Sequence, residues 1–469
     1  MRQQNKNFIF NVCYQLVMYL FPLVTSAYIA RVLGTEQSGV YSYVTSITTM
    51  VGMFSMLGIS NYGNREIAKV RDDKETLDMT FSTIYGLQLI LSVVVGIVYI
   101  VGVLLVKSEY KILFYIQVLH FLSIAMDVSW VYFGLEKFKV TLTRNFVVKC
   151  LSMVLILFMV KGPQDINVYT TIMVLSSLGS QFFLLVLSRK FVRFRVCAFR
   201  EIIKHFKPCL VLFIPVIAFS IYRVMDKTMI GYFSTKSELA FYEYAERIIN
   251  IPIMVISALG TVMLPHMAYS IKNKSGDYKK TIKNSMHLAT IIAAFSTAGL
   301  IVLGKDICIA LFGLDFEKSG SLVMFLSFTI IASAWANVVR TQYLIPTSRD
   351  KVYVGSTIVG AVINLCMNLL LIAPFGALGA CVGTILAEFS ICIYQTICVR
   401  KELDFKQYFI DLCINLDMIG TIMGRFIAVC TAIFCSKLLI SSAFSALIRS
   451  AYCCCSSGVA SAARVCCAS

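Results

Sequence analysis

Apolar and polar positions alternate along this chain in long blocks. Twelve apolar stretches are centred near residues 20, 50, 93, 123, 153, 178, 220, 255, 294, 333, 362 and 388. A helix needs about 20 apolar residues to cross a bilayer, so each stretch predicts a membrane-spanning helix. The polar gaps are short on both sides. The longest gap on one face covers residues 304–320 and the longest on the other covers 189–207.

The cations sort by gap. Every second gap is rich in Lys and Arg, beginning with Arg2 and Lys6 and continuing through Arg65, Lys69, Arg71 and Lys74. The largest basic set is Arg189, Lys190, Arg193, Arg195, Arg200, Lys204 and Lys207. The basic gaps hold 26 of the 42 Lys and Arg residues, and the gaps between them only 7. Cations beside membrane spans stay on the cytoplasmic side. The chain therefore reads as a multi-pass membrane protein with a cytoplasmic N-terminus, and twelve spans place every basic gap on one face. The first run, 8–33, is too long for a signal-peptide core and reads as span 1.

The expected fold is all-α. It has about 12 transmembrane helices, extending to 13–14 if later runs also cross. The chain looks doubled. Pro22 and Pro215 interrupt spans 1 and 7, Gly39-Val-Tyr41-Ser-Tyr43 answers Ala240-Phe-Tyr242-Glu-Tyr244, and Gly58 answers Gly260. Six spans per repeat is an even number, so the two bundles share one orientation and are related by a pseudo-two-fold along the membrane normal. The expected organisation is a six-helix bundle over 1–195, a basic cytoplasmic connector over 196–206 and a second bundle over 207–400. An additional hydrophobic segment follows over 401–441, with an apolar run at 418–441 that contains Arg425, then an atypical Cys-rich tail over 442–469. Residues 189–207 read as an amphipathic interfacial helix joining the bundles.

Composition agrees with a membrane class: 58% of residues are hydrophobic and 14% charged, against about 25% charged in soluble domains. The net charge of +17 would suit nucleic acid, but its placement in the cytoplasmic gaps is explained by orientation and anionic lipid. Twelve of the 17 Cys lie singly in apolar segments, where they act as small hydrophobes, and five crowd the tail in a spacing that fits no zinc site.

Candidate chemistry lies in ionisable groups within spans, which are costly in lipid and usually face a cavity or each other. Glu388 sits mid-span with no other charge between 378 and 398. It is either a cavity carboxylate for H⁺ or Na⁺, or a group held by a neighbouring helix. Arg223, Asp226 and Lys227 share one face of span 7, and Glu243, Glu246 and Arg247 answer from span 8. They form either a cationic cavity wall or a salt-bridge network between the two helices. Asp127, Lys149 and Arg340 lie near cytoplasmic ends. Lys149 and Arg340 either line the substrate cavity or snorkel to the headgroups, whereas Asp127 is the better cavity candidate and could pair with Lys149. Arg31 and Arg65 end spans 1 and 2. The run Gly299-Leu-Ile-Val-Leu-Gly304-Lys305-Asp306 imitates a phosphate-binding loop but has Asp306 where Ser or Thr is required. No metal or cofactor is expected, beyond an H⁺ or Na⁺ coupling ion.

Several runs are similar to the bacterial polysaccharide-export flippases of the multidrug/oligosaccharidyl-lipid/polysaccharide superfamily. They are Ala30-Arg31-Val32-Leu33-Gly34, Gly58-Ile59-Ser60-Asn61-Tyr62-Gly63, Asp226-Lys227-Thr-Met-Ile230-Gly231 and Tyr242-Glu-Tyr244-Ala245. The resemblance implies two bundles around a V-shaped cavity. It implies that an undecaprenyl-diphosphate-linked oligosaccharide repeat unit is flipped across the bacterial cytoplasmic membrane, for O-antigen, capsule or exopolysaccharide. It matches Arg31, Arg223, Asp226 and Arg247 by position to cavity residues, and implies polysaccharide polymerase and chain-length proteins as partners. Competing readings are a flippase for a lipid-linked peptidoglycan or teichoic-acid precursor, and a cation-coupled multidrug exporter, which would want a carboxylate-lined site. A membrane glycosyltransferase or polymerase would hold its catalytic groups in a sizeable outer loop, which the short gaps do not provide.

Overall fold

The computed structural model describes residues 2–105, 108–272, 278–403, 405 and 408. For residues 2–21, 138, 214–216, 218–219, 221–223, 265–266 and 272 it describes the backbone only. The apolar run 418–441 with Arg425 and the Cys-rich tail lie outside the described residues. All the regular elements among the described residues are helices.

The chain begins with α1, Arg2–Met56. At about 1.5 Å per residue this helix would be ~80 Å long, more than twice a hydrocarbon core of ~30 Å. Its backbone is broken at one residue, Gly34, with φ 72° and ψ −174°. That conformation carries a steric penalty for any residue with a Cβ. The two runs expected as spans 1 and 2 thus follow each other across a one-residue break. Helix α2 (Ile59–Val70) follows, then α3 (Lys74–Leu105) and α4 (Lys111–Ala125), which breaks before the short α5 (Ser129–Gly134). Helices α6 (Phe138–Met159) and α7 (Ile166–Ser188) complete the first part.

After the connector and its short α8 (Phe199–Ile203) come α9 (Phe206–Phe233), α10 (Lys236–Lys272) and α11 (Tyr278–Phe312). Next are α12 (Glu317–Leu326), α13 (Phe328–Val339), a π-helical turn at Arg340–Leu344, α14 (Asp350–Phe375) and α15 (Ala377–Val399). Among the described residues nine helical segments are long and apolar enough to cross a membrane, or ten if α12 and α13, bent by 45°, count as one. The sequence reading of twelve differs at identifiable places. Two expected runs follow each other within α1, and α9, described by backbone alone at residues 214–216, 218–219 and 221–223, is not among the nine.

Apolar residues point outward in bulk. On α3, Val93, Val94, Ile97, Val98, Leu104 and Leu105 are all exposed, while Asp78, Gln88 and Ser92 are buried. That inversion suits hydrocarbon outside and a polar interior. Among the described residues the largest buried cluster is built mainly from α9 to α15, with Ala27 and Ala30 of α1 in it and Leu23 and Tyr43 of α1 packed against it. Three smaller clusters are built from α1 to α7, joined by Val192, Cys209 and Phe213.

The connector corrects one expectation. Its helix is only Phe199–Ile203, and residues 192–198 have no helical structure. The cause is local. Asp78, buried on α3, accepts the Arg193 backbone N–H at 2.8 Å, and Ser82 accepts the Arg195 N–H at 2.9 Å. These bonds satisfy amides that a helix would otherwise use. The alternation of Val192, Phe194 and Val196 with arginines was the overlooked sign of an extended segment. Helix α11 runs unbroken through Gly299–Asp306, so that stretch has no phosphate-binding loop.

Candidate functional site

The interior polar groups gather at three places. The first is a cavity of about 540 Å³ bounded by α1, α6, α7 and α10. Pro22 and Tyr41 line it from α1, Lys149 from α6, Tyr169 from α7, and Arg247 and Asn250 from α10. Helices from before and after the connector therefore share one chamber. Its described lining has two cations and no carboxylate. The Tyr41 and Tyr169 rings meet at 4.6 Å between centroids and form an aromatic wall.

Arg247 is steered from behind. Its Nη2 donates to Glu243 Oε1 at 2.5 Å, one turn away on α10, and its guanidinium lies 5.1 Å from the centroid of the Tyr244 ring. Lys227 on α9 pairs with Glu246 at 2.9 Å. The network reading and the cavity reading therefore meet in one residue, because Arg247 both pairs with Glu243 and faces the chamber.

The second place is a cavity of about 210 Å³ that shares Ile253 and Ser257 with the first. Arg340 and Glu388 both line it. Glu388 Oε2 accepts from Ser333 at 2.8 Å, and Arg340 lies 5.7 Å over the Tyr353 ring. Arg340 opens the π-helical turn, a local widening that often marks functional positions in helices.

The third is a closed node around Asp226. Its Oδ2 accepts from Tyr242 at 2.8 Å and from Thr384 at 2.9 Å, and its Oδ1 accepts from Asn368 at 2.5 Å. Asn368 also donates to Asn364 at 3.1 Å. Four helices, α9, α10, α14 and α15, thus converge on one buried carboxylate. Among the described residues no cation is within ion-pair distance of it, so Asp226 stands apart from the Glu243 and Glu246 pairs. Among the described residues no three His, Cys, Asp or Glu side chains gather as a metal site. The node offers instead carboxylate, amide and hydroxyl oxygens, the donor set of hard cations.

The remaining candidates lie elsewhere. Arg31 donates from Nε to the Leu311 carbonyl at 3.1 Å and from Nη2 to the Ala310 carbonyl at 2.5 Å. It caps the end of α11, where unpaired carbonyls favour a cation. Asp127 sits in the α4–α5 break, where its Oδ1 accepts the Ser129 N–H at 2.9 Å. Neither lines the two cavities. The Arg223 side chain lies outside the described residues. The sequence reading passed over Tyr41, Tyr169 and Asn250 in the chamber, and Tyr242, Asn364, Asn368 and Thr384 in the node.

The family described as "Polysaccharide biosynthesis protein" matches residues 5–271, more than half of the chain. The chain belongs to that family. The chain is also similar to transport proteins of other organisms. A "Putative O-antigen transporter" of Shigella dysenteriae is 24% identical over 392 residues, covering 81% of this chain and 96% of its own. A "Probable low-salt glycan biosynthesis flippase" of Haloferax volcanii is 27% identical over 167 residues, 35% of each chain. Among solved structures, the lipid II flippase MurJ in an inward closed conformation superposes with TM-score 0.67 at 15% identity, covering 91% of this chain and 98% of its own. An inward-facing multidrug MATE transporter superposes with TM-score 0.62 at 14% identity, covering 82% and 94%. The chain thus shares its fold with these transporters.

Proposed function

We propose that this chain moves a lipid-linked oligosaccharide repeat unit across the bacterial cytoplasmic membrane, by alternating access of two bundles, 1–195 and 207–400, with its N-terminus in the cytoplasm. It is a carrier and not an enzyme. The observation that carries the reading is the chamber. Two cations, Lys149 and Arg247, face a space lined by no described carboxylate. Such a chamber suits an anionic ligand, and a diphosphate or acidic sugar meets that requirement. Tyr41 and Tyr169 add apolar ring faces with polar tips, which suit sugars. The exporter of cationic drugs would want the opposite charge. Arg340 and Glu388, in the adjoining cavity, extend the polar surface toward α13 to α15.

The Asp226 node is the proposed site of the coupling ion, H⁺ or Na⁺. It joins α9 and α10 to α14 and α15, so its occupancy could alter how these helices pack. Polymerase and chain-length proteins are the partners expected to receive the flipped unit.

The test is leaflet accessibility of lipid-linked oligosaccharide in a deletion strain. Units trapped on the cytoplasmic leaflet, and released by re-expression, are the expected result. Normal translocation without the protein would overturn the proposal. In the same strain Arg247→Ala and Arg223→Ala are expected to abolish export at unchanged protein level. Normal export from both would leave Arg247 a structural partner of Glu243 and nothing more.

A further inference from the structure

A second space opens on the other side of α6. Here α6 and α7 bound a groove of about 1080 Å³ that is separate from the polar chamber. Val147 and Leu151 line it from α6, and Leu175 and Phe183 from α7. It extends along α6 from Lys139 to Met159, which is about 30 Å at 1.5 Å per residue, the thickness of a hydrocarbon core.

Both spaces share one wall. Lys149, Ser152 and Ile156 of α6 face the chamber, while Val147, Leu151 and Leu155 face the groove. Helix α6 is also thinly packed. Of its described side chains only Thr141 and Ile156 are buried. The groove is charged at one end alone, where Lys139 and Arg144 stand. Arg144 is oriented by neutral groups, with Nη1 donating to Gln181 Oε1 at 2.8 Å and Nη2 to Asn145 Oδ1 at 2.7 Å. A groove lined by apolar side chains along a membrane's thickness, with two cations at its cytoplasmic end, complements an apolar chain with an anionic head.

We propose that the α6–α7 groove seats the isoprenoid tail of a polyprenyl-diphosphate ligand, with Lys139 and Arg144 meeting its diphosphate and α6 dividing tail from chamber. This inference rests on the lipid-linked cargo proposed above. Ordinary bilayer lipid would fill the groove without selection. An isoprenoid would be selected by the cation pair and by a groove that follows a single chain through the thickness of the hydrocarbon core.

Gly179 provides the test. It lies in the groove wall, and a Cβ added there would meet no heavy atom within 4 Å. Gly179→Trp therefore fills the groove without disturbing the packing behind it. The full-length protein in lipid nanodiscs is irradiated with undecaprenyl diphosphate carrying a diazirine on its tail, and the labelled peptides are mapped. The expected result is labelling within α6 and α7 that unlabelled undecaprenyl diphosphate displaces. Gly179→Trp should cut it by about tenfold. Arg144→Gln should weaken displacement by the diphosphate but not by uncharged undecaprenol.

Four outcomes overturn the proposal. One is a label that maps to other helices. Another is a diazirine phosphatidylglycerol that labels the groove equally, without displacement by undecaprenyl diphosphate, which would make it a seat for bulk lipid. Cross-links from α6 to residues 418–441 would show that the chain covers the groove itself. Full export from Gly179→Trp in the deletion strain would refute the tail site and leave the flippase reading standing. Translocation that never needed the protein would refute the flippase reading instead.

Discussion

At the scale of single residues, Asp226 shows how this protein handles charge in a membrane. A carboxylate inside a bundle is costly unless its lone pairs are met. Tyr242, Thr384 and Asn368 meet them. Tyr242→Phe should leave the Oδ2 bond from Thr384 and cost about 1 kcal/mol, read as a small drop in melting temperature in detergent. Asp226→Asn keeps the shape and removes the acid. If the node binds the coupling ion, the wild type should gain thermal stability from Na⁺ or show a pH dependence, and Asp226→Asn should lose that response together with export. An unchanged ion response in Asp226→Asn would remove the node from coupling. The acid itself was legible in the sequence because an ionisable residue stands out in an apolar run. Asn364 and Asn368, one turn apart on α14, were not, because uncharged amides are common at helix contacts and carry no distinctive signal. Arg31 failed differently. Its position at a helix end could be read, but the carbonyls it caps, on α11, are 279 and 280 residues away in sequence.

At the scale of elements, the meeting of α1 with α9 and α10 depends on the absence of side chains. A Cβ at Gly39 would fall 1.7 Å from the Lys236 carbonyl oxygen, and one at Gly231 would fall 2.2 Å from the Tyr43 ring. Lys236 in turn places its ammonium 3.5 Å over the Tyr43 ring, a cation–π contact. Gly39→Ala should therefore hold the two helices apart, at a cost of about 1–3 kcal/mol to the closed arrangement. The check is the disulfide yield of a Thr35→Cys, Ser237→Cys pair, whose native hydroxyls lie 3.4 Å apart. The yield should fall when Gly39→Ala is added, and an undiminished yield would mean the helices close by another route. Helix existence was readable here from length and hydropathy alone. The continuity of α1 was not, because a five-residue polar gap looks like a loop until the backbone shows that Gly34 alone makes the break. The connector failed for the same reason in reverse, since tertiary bonds from Asp78 and Ser82 overrode a helical spacing.

At the scale of the whole molecule, the α1–α10 contact closes the chamber on the side where Thr35, Ser38 and Gly39 meet Lys236, Ser237 and Tyr244. In the orientation proposed above that side is the exterior, since Arg31 is the one cation in the gap between the first two apolar runs. Closure there is what a carrier needs before it loads a ligand made in the cytoplasm. A cysteine at Ser152, on the chamber wall, should then react with a membrane-impermeant thiol reagent in inverted vesicles far more than in intact cells. The reactive background can be kept low, because Cys209, Cys308 and Cys381 are buried and the other cysteines can be replaced. Locking the Thr35→Cys, Ser237→Cys disulfide should preserve this one-sided labelling and stop export, and reduction should restore export. If the locked protein still exports, the α1–α10 contact is not the outer gate, and the bundles must part elsewhere. If Ser152→Cys labels only from the exterior, the orientation inferred from the cations is inverted. The two failures are separable, because the first concerns which helices move and the second concerns which way the molecule faces.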